Sequence, residues 1–327
     1  MSSAVSASPR GRKPPGNHLL RNVGIVLVVA IVAVAGVTLA LTHPPHPASS
    51  QVTVLATFYP VYDFARNVGG DRVNVSLLVP MTVDVHAFEP SPSSVAAVAN
   101  ARVLLYSGAG LEPWIPAIVS AADNPGLIEV DSSHGVSLLP VAAQYQQNGR
   151  TVDPHIWLDP VLAKQQVENI LNGLIQADPA DAAYFTANAD NYTAKLDLLN
   201  SEAINLSAHA VTRDFVTFHE AFGYFAQQYN LTQIPIAGPF EEDPTPTDIQ
   251  NVIDAIHAHR LCYVGYESLE NPAIAQGIAS QTNATLILMD PIEGLSPTDQ
   301  SLGATYLTKM QADFDSFSLA LNHVGCT

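Results

Sequence analysis

The sequence predicts an α/β protein of two parallel-sheet α/β lobes joined by one long rigid helix, with a membrane segment at the N-terminus. Three observations predict this fold class. Short apolar strands alternate with helices from residue 51 onward, which is typical of parallel sheets with helices on both faces. An unbroken helical pattern over 179–209 separates two such alternating regions. An uncharged apolar run over 23–41 precedes them both.

The N-terminal segment has the character of a membrane anchor. The run 23–41 contains 19 residues, which at about 1.5 Å per residue nearly span a hydrocarbon core of about 30 Å. We predict a basic cytoplasmic N-terminus at 1–22, a transmembrane anchor at 23–41 and a linker at 42–50. The alternative is a long cleaved signal peptide. Basic residues before the apolar run place the folded part on the extracytoplasmic side of the cell membrane, or secreted or periplasmic after cleavage.

Apolar segments, separated by capping and turn residues, predict an N-terminal α/β lobe at 51–176. Predicted strands cover 52–57, 73–79, 103–106 and 128–130, and predicted helices cover 62–68, 93–100, 114–122 and 160–176. Ser91 or Ser93 supplies an N-cap for the second helix. Pro160 suits the first turn of the last one, because the N–H that proline lacks has no intrahelical partner there.

A connecting helix is predicted at 177–210. Apolar and aromatic residues recur there at helical spacing, and neither Gly nor Pro interrupts the pattern between 180 and 209. Thirty residues of helix would span about 45 Å, long enough to join two lobes as a rod. A C-terminal α/β lobe at 211–327 follows. Its predicted strands cover 215–218, 233–237, 262–265 and 285–289, and its predicted helices cover 221–229, 247–258 and 272–282.

The acidic composition argues against nucleic acid as a partner and favours cations. The 327 residues carry a formal net charge of −17, and residues after 50 hold 9 basic against 30 acidic side chains, a net −21. So acidic a surface repels nucleic acid, which we exclude, and attracts cations. Cys262 and Cys326 are the only cysteines. Export favours a disulfide between them, and a two-cysteine metal site is the weaker alternative.

Three histidines and one carboxylate stand at predicted strand ends or in the loops that follow. His86 lies in Asp-Val-His-Ala-Phe-Glu-Pro, His155 in Asp-Pro-His-Ile-Trp-Leu-Asp-Pro, and His219 and Asp290 each close an apolar strand. This set matches the ligand count and type of a tetrahedral zinc site. Strand ends of two α/β lobes face each other across a crevice, where open sheets bind their ligands. The sequence therefore predicts a metal site between the lobes.

Further carboxylates are predicted to support this site. Asp153 and Asp159 flank His155 and are available to accept a hydrogen bond from an imidazole N–H. Glu267 is assigned the same supporting role. An exported zinc hydrolase is the main alternative from another class, with Glu220, Glu241 or Glu267 as its general base. The chain has no His-Glu-x-x-His motif and no nucleophile elbow, and a fourth protein ligand would close the site to substrate.

The motifs together resemble the metal-binding solute-binding proteins of ABC transporters for zinc and manganese, the ZnuA/TroA-like family. The likeness covers nearly all of 51–327 and is carried by the segments 84–90, 153–160, 219–225, 238–246 and 288–291. It implies that His86, His155, His219 and Asp290 bind the metal and that a rigid helix joins the lobes. It also implies a monomer that delivers the ion to a membrane permease and its ATPase, with a bridge between Cys262 and Cys326. One departure is that the segment 138–152 lacks the histidines of the family's metal-rich loop.

The donor set favours zinc. Three imidazoles and one carboxylate suit zinc, whereas manganese prefers more oxygen ligands and is the alternative. Manganese-selective relatives typically carry Glu at the position of His219. The function predicted from the sequence is high-affinity extracytoplasmic zinc binding for uptake, without catalysis. A surface adhesin with a structural metal is a third interpretation, because it would use the same site.

Overall fold

A four-stranded parallel sheet forms the first half of the described chain. Its strands are β1 (Val52–Ala56), β2 (Val73–Leu77), β3 (Val103–Tyr106) and β4 (Ile128–Asp131), in the order β2–β1–β3–β4. The computed structural model describes residues 51–146, 149–240 and 242–326. All pairings in this sheet are parallel, as predicted.

Helices cover both faces of this sheet. They are α1 (Tyr59–Gly69), α2 (Pro92–Asn100), α3 (Ile115–Ala122) and α4 (Pro160–Ala177). Leu105 points toward the core shared with α1 and α4, while its neighbour Leu104 packs with α2 and α3 on the opposite face. Ser91 caps α2 through a capping box with Ser94, which resolves the two predicted cap positions in favour of Ser91.

One long helix runs through the middle of the chain. After a 3₁₀ turn at Pro179–Asp181, α5 spans Ala182–Ala208, 27 residues or about 40 Å. It packs on α1 and α4 of the first half and on the last helix of the second half. Tyr192 of α5 donates its hydroxyl to Asp63 of α1 at 2.9 Å. The predicted long helix is thus present, with its first turn tightened to 3₁₀.

The second half contains two parallel strand pairs. β5 (Asp214–His219) pairs with β6 (Thr232–Ala237), and β7 (Tyr263–Tyr266) pairs with β8 (Thr285–Leu288). The pairs meet at Gly265, where a Cβ atom would lie 2.7 Å from the carbonyl oxygen of Val216. The accompanying helices are α6 (Gly223–Gln228), α7 (Pro246–His259) and α8 (Ala273–Thr282).

Two helices were not predicted from the sequence. They are α9 (Pro297–Ser301) and α10 (Tyr306–Asn322), each with a capping box at its start. The inner face of α10 carries buried apolar residues at helical spacing, a signal that the sequence contained: Tyr306, Met310, Phe314, Phe317 and Leu321. Phe317 stacks on Phe225 at 4.8 Å between ring centroids, so α10 closes the core of the second half.

The chain end is tied back by the predicted disulfide between Cys262 and Cys326. Next to it, Leu261 and Val324 form an antiparallel bridge. Within the described residues, every helix is too short or too polar to cross a bilayer. The predicted anchor at 23–41, with its flanking segments at 1–22 and 42–50, lies outside the described residues. The lobe boundaries at 51–176, 177–210 and 211–327 remain predictions.

Candidate metal centre

Three histidines from distant parts of the chain converge. His86 lies in the loop after β2, His155 just before the 3₁₀ turn Ile156–Leu158, and His219 is the last residue of β5. The Nε2 atom of His155 lies 3.3 Å from that of His86 and 3.1 Å from that of His219. His155 and His219 are fully buried and His86 nearly so. The loops that follow parallel strands bring these residues together, as expected for an α/β crevice.

Glu293 completes the cluster. Its Oε1 atom lies 2.9 Å from Nε2 of His86, 3.3 Å from Nε2 of His155 and 3.7 Å from Nε2 of His219. The four donor atoms all lie within 4.8 Å of one another. Donors around a tetrahedral zinc ion, at bond lengths of about 2.0–2.2 Å, are about 3.3–3.6 Å apart. The spacing of the cluster is therefore close to what such an ion requires.

Asp290, the carboxylate predicted for this position, lies outside the cluster. Its Oδ2 atom accepts hydrogen bonds from Lys309 Nζ, at 2.8 Å, and from the hydroxyl of Ser268. Its Oδ1 atom accepts from the backbone N–H of Ile292 at 3.0 Å. A buried ammonium group thus holds the carboxylate at the strand end, and the next carboxylate of the same loop reaches the histidines. The expectation for Asp290 is corrected accordingly: Glu293 takes its place.

Two carboxylates orient the imidazole rings. Asp153 Oδ1 accepts from Nδ1 of His155 at 2.8 Å and from the backbone N–H of that histidine at 2.9 Å. Glu267 Oε1 makes the same pair of contacts with His219, at 2.8 and 3.0 Å. With Nδ1 engaged in each ring, Nε2 is directed into the cluster. The contacts predicted for Asp153 and Glu267 are therefore present.

Asp159 has a different role from the one predicted. It was expected to accept from an imidazole N–H, but it is the N-cap of α4 and accepts from the backbone N–H of Val161 at 2.8 Å. Burial raises the pKa of its carboxyl to about 6, although the helix N–H groups act in the opposite direction. Asp153, on the other side of His155, is the residue that holds the ring.

Charge within the cluster is balanced by protons. Burial lowers the pKa of His155 and His219, but their carboxylate partners more than offset it and raise both to about 9. Burial raises the pKa of Glu293, yet the three histidines hold it well below its usual range. Near neutral pH the ionised carboxylate of Glu293 thus favours a proton on the imidazoles of His155 and His219. A cation that enters must displace those protons.

Aromatic rings enclose the cluster. Trp157 lies 5.2 Å from the ring of His155, and Phe240 lies 6.0 Å from the ring of His86. Arg150 stacks over Phe240 at 5.1 Å and donates Nη2–H to the carbonyl of His86 at 3.2 Å. These rings limit the access of water to the cluster, and a less solvated site strengthens the interaction of a bound cation with its ligands.

Residues nominated for a hydrolase are placed differently. The carboxylate of Glu267 is engaged with His219 and does not stand free to activate a water molecule. Glu220 is half-buried beside His219, with a pKa raised first by burial and then by the charge of Asp153. Glu241 lies outside the described residues. The geometry favours an enclosed binding site.

Glu293 was missed by sequence reasoning, although a signal existed. It stands three residues after Asp290 in the same loop, so two carboxylates were candidates for one position. Ile292 between them has a left-handed backbone with φ of 59°, which redirects the chain just before Glu293. Because the loop reverses, the carboxylate nearest the strand end is not the one that reaches the histidines.

Comparisons with known proteins agree with this geometry. The family model described as "Zinc-uptake complex component A periplasmic", ZnuA, matches residues 54–320. The high-affinity zinc uptake system protein ZnuA of Bacillus subtilis is 29% identical over 280 residues, which cover 83% of this chain and 88% of that protein. The zinc-binding lipoprotein AdcA of Streptococcus pneumoniae is 27% identical over 85% of this chain, which spans only 57% of its length. The Zn(II)-bound ZnuA-like domain of AdcA superposes with a TM-score of 0.73 at 26% identity, covering 84% of this chain and all of that domain.

Proposed function

Because this chain belongs to the ZnuA family of zinc-uptake components, we propose that it binds zinc with high affinity outside the cytoplasm and delivers it to the permease of an ABC transporter. The observation that carries this proposal is the buried group of His86, His155, His219 and Glu293, whose donor atoms are spaced for one ion. Zinc is the cargo of this site, which acts in transport and not in catalysis.

The donor chemistry supports zinc over manganese. Three imidazole nitrogens and one carboxylate oxygen form a nitrogen-rich set, and zinc accepts such a set in tetrahedral geometry. Manganese prefers more oxygen donors, and its complexes with a given site are weaker in the Irving–Williams order. The supporting carboxylates Asp153 and Glu267 make the rings of His155 and His219 better donors.

Capture begins with attraction by the acidic surface. The net charge of −21 after residue 50 raises the local concentration of cations and their rate of encounter with the site. The ion then replaces the protons held between Glu293 and the histidines. The helix α5 packs on both halves of the fold, so we expect release to the permease to need only local rearrangement near the site rather than a wide hinge motion.

Metal analysis of the purified full chain, kept in detergent for its apolar N-terminal run, tests this proposal. We expect one equivalent of zinc, retained against manganese in competition titrations. His219→Ala should lose it, while His134→Ala, which alters an exposed histidine away from the cluster, should keep it. A folded wild-type chain that takes up no stoichiometric zinc would refute the proposal.

A growth experiment tests delivery. Deletion of the gene from its own host should raise the zinc concentration needed for growth in chelator-treated medium. Wild-type and His134→Ala genes should restore growth, and His219→Ala should not. Restoration by His219→Ala would separate transport from the metal centre and contradict the proposed role of that residue.

A further inference from the structure

The loop after β8 brings two carboxylates close to the metal centre, but of these two only Glu293 is directed to the Nε2 atoms of the histidines. Asp290 and Glu293 line the same small acidic cavity together with Glu267. Asp290 is 2% exposed and pairs with the buried ammonium group of Lys309 at 2.8 Å. Without that partner, a buried carboxylate would need another cation, since an unpaired charge is costly in the interior. A metal ion in the neighbouring cluster would be such a cation, since Asp290 and Glu293 line the same cavity.

Lys309 comes from a separate part of the fold. It lies on α10, whereas Asp290 follows β8. The other acidic groups that face its ammonium group are Asp299, at 3.3 Å, and Asp313, one helical turn along α10. Asp313 in turn accepts from the backbone N–H of Asp290 at 2.8 Å. The start of the loop is therefore fixed to α10 through both its side chain and its backbone.

The rest of the loop is pinned by contacts to the first half of the chain. Trp157 donates its indole N–H to the carbonyl of Pro291 at 2.7 Å. Leu295 donates its backbone N–H to the carbonyl of Met81 at 2.9 Å. Between these points Ile292 adopts its left-handed conformation, which is uncommon for a β-branched residue and persists only where surrounding contacts hold it. This conformation presents Glu293 to the histidines.

We propose that Lys309 is a positioning residue that sets the metal specificity of the site: its ion pair with Asp290 keeps that carboxylate off the ion and leaves Glu293 as the only oxygen ligand. The inference deepens the proposed function and depends on it. Removal of the ammonium group would free Asp290 to join the shell. A shell of three nitrogen and two oxygen donors is better suited to manganese than the present one.

The test compares zinc and manganese affinities in full-length Lys309→Met, which keeps an unbranched chain of similar length without charge. We expect the ratio of zinc to manganese affinity to fall by about tenfold or more relative to wild type. Lys309→Arg retains the charge and should keep the wild-type ratio. The double variant Lys309→Met/Asp290→Asn removes the freed carboxylate and should restore the ratio most of the way.

A purely structural role for Lys309 gives a different result. Both affinities would then fall together in Lys309→Met, with an unchanged ratio, and that outcome overturns the inference. So does a changed ratio that persists in the double variant. If Lys309→Met does not fold, a zinc-bound crystal structure of the unaltered chain decides the matter, since a bond from zinc to Asp290 overturns it and a bond to Glu293 alone supports it. Absence of zinc binding in wild type would instead refute the proposed function.

Discussion

The Nε2 atoms of His155 and His219 lie 3.1 Å apart, with Nδ1 of each ring held by a carboxylate. Two imidazole nitrogens at this distance must share a proton or a metal ion, because two lone pairs facing each other repel. Glu293 lies within 3.7 Å of both and favours positive charge between them. The fold thus presents a preformed site that favours a cation, either a proton or a metal ion.

The first prediction concerns pH. Burial lowers the pKa of His155 and His219, but their carboxylate partners raise both to about 9. Since neutral imidazoles bind the metal, zinc must displace protons below that pH, and apparent affinity should rise with pH up to about 9. We expect at least roughly a tenfold weakening for each pH unit lowered between about pH 8 and pH 6.

Competition titrations against a chromophoric chelator measure this dependence. Calorimetry in buffers of different ionisation enthalpy should show proton release on zinc binding at neutral pH. An affinity that stays flat across that interval would show that the histidines are neutral in the free protein. An unperturbed imidazole would confine the change to the region near pH 6.5 or below, so the position of the slope tests the influence of the carboxylates.

The second prediction assigns the fourth ligand. Glu293→Gln replaces a carboxylate by a neutral amide of the same shape, so zinc affinity should fall by more than the roughly 10–100-fold that loss of a supporting partner costs. The matched control is Glu168→Gln, an exposed position on α4, which should bind zinc as wild type does. Equal affinities in Glu293→Gln and wild type would remove Glu293 from the site.

The third prediction concerns Glu267, which holds the imidazole ring of His219 but is not itself one of the four donors of the cluster. Glu267→Gln can still accept from Nδ1 of His219 but no longer raises the pKa of that ring by its charge. Zinc affinity should fall about 10–100-fold at high pH. The loss should be smaller near neutral pH, because a histidine of lower pKa holds its proton less tightly.

The pH profile of zinc affinity measured on this variant, beside the exposed control Glu129→Gln, shows the difference. A uniform loss at every pH would mean that Glu267 acts only by holding the ring in place. A profile superimposable on that of wild type would mean that the carboxylate has no influence on the bound ion.

The fourth prediction concerns the disulfide. Cys262 and Cys326 close a loop with a sequence separation of 64, and loop-closure entropy of that size corresponds to about 4 kcal/mol of stability. Cys262→Ala/Cys326→Ala should lose roughly this free energy of unfolding in urea titrations. Zinc affinity should change little, since Cys262 precedes β7, whereas Glu267, which holds His219, follows the opposite end of that strand.

Reduction provides the internal control. Wild-type chain treated with a reductant should lose stability by a similar amount, and the double variant should not respond to the reductant at all. A double variant as stable as the oxidised wild type would show that the bridge does not constrain the unfolded chain.

Local patterns in the sequence were sufficient for most of the fold. The strands and helices from β1 to β8 follow from apolar periodicity, caps and proline positions, because these act over a few residues. The exceptions are α9 and α10, although the buried face of α10 repeats at helical spacing. The disulfide followed from the presence of only two cysteines in a chain whose sequence predicts export.

Local sequence patterns predicted only part of the candidate site. The sequence identified the three histidines, because each follows a strand or precedes a helix: His86, His155 and His219. The ends of parallel strands lie at one edge of the sheet, so such residues meet in one crevice. Asp153 was identified from its place beside His155. Asp159 has an equivalent place in sequence but caps α4, since a helix N-terminus competes for a carboxylate that directly precedes it.

The sequence by itself determined the α/β elements, the histidines and the pairing of the cysteines. Only the tertiary structure decided which carboxylate joins them. That choice depends on the ammonium group of Lys309, 19 residues from Asp290 along the chain, and on the left-handed backbone of Ile292. Both are long-range effects, because an ion pair between α10 and a loop, and contacts that hold a strained residue, exist only after the chain has folded.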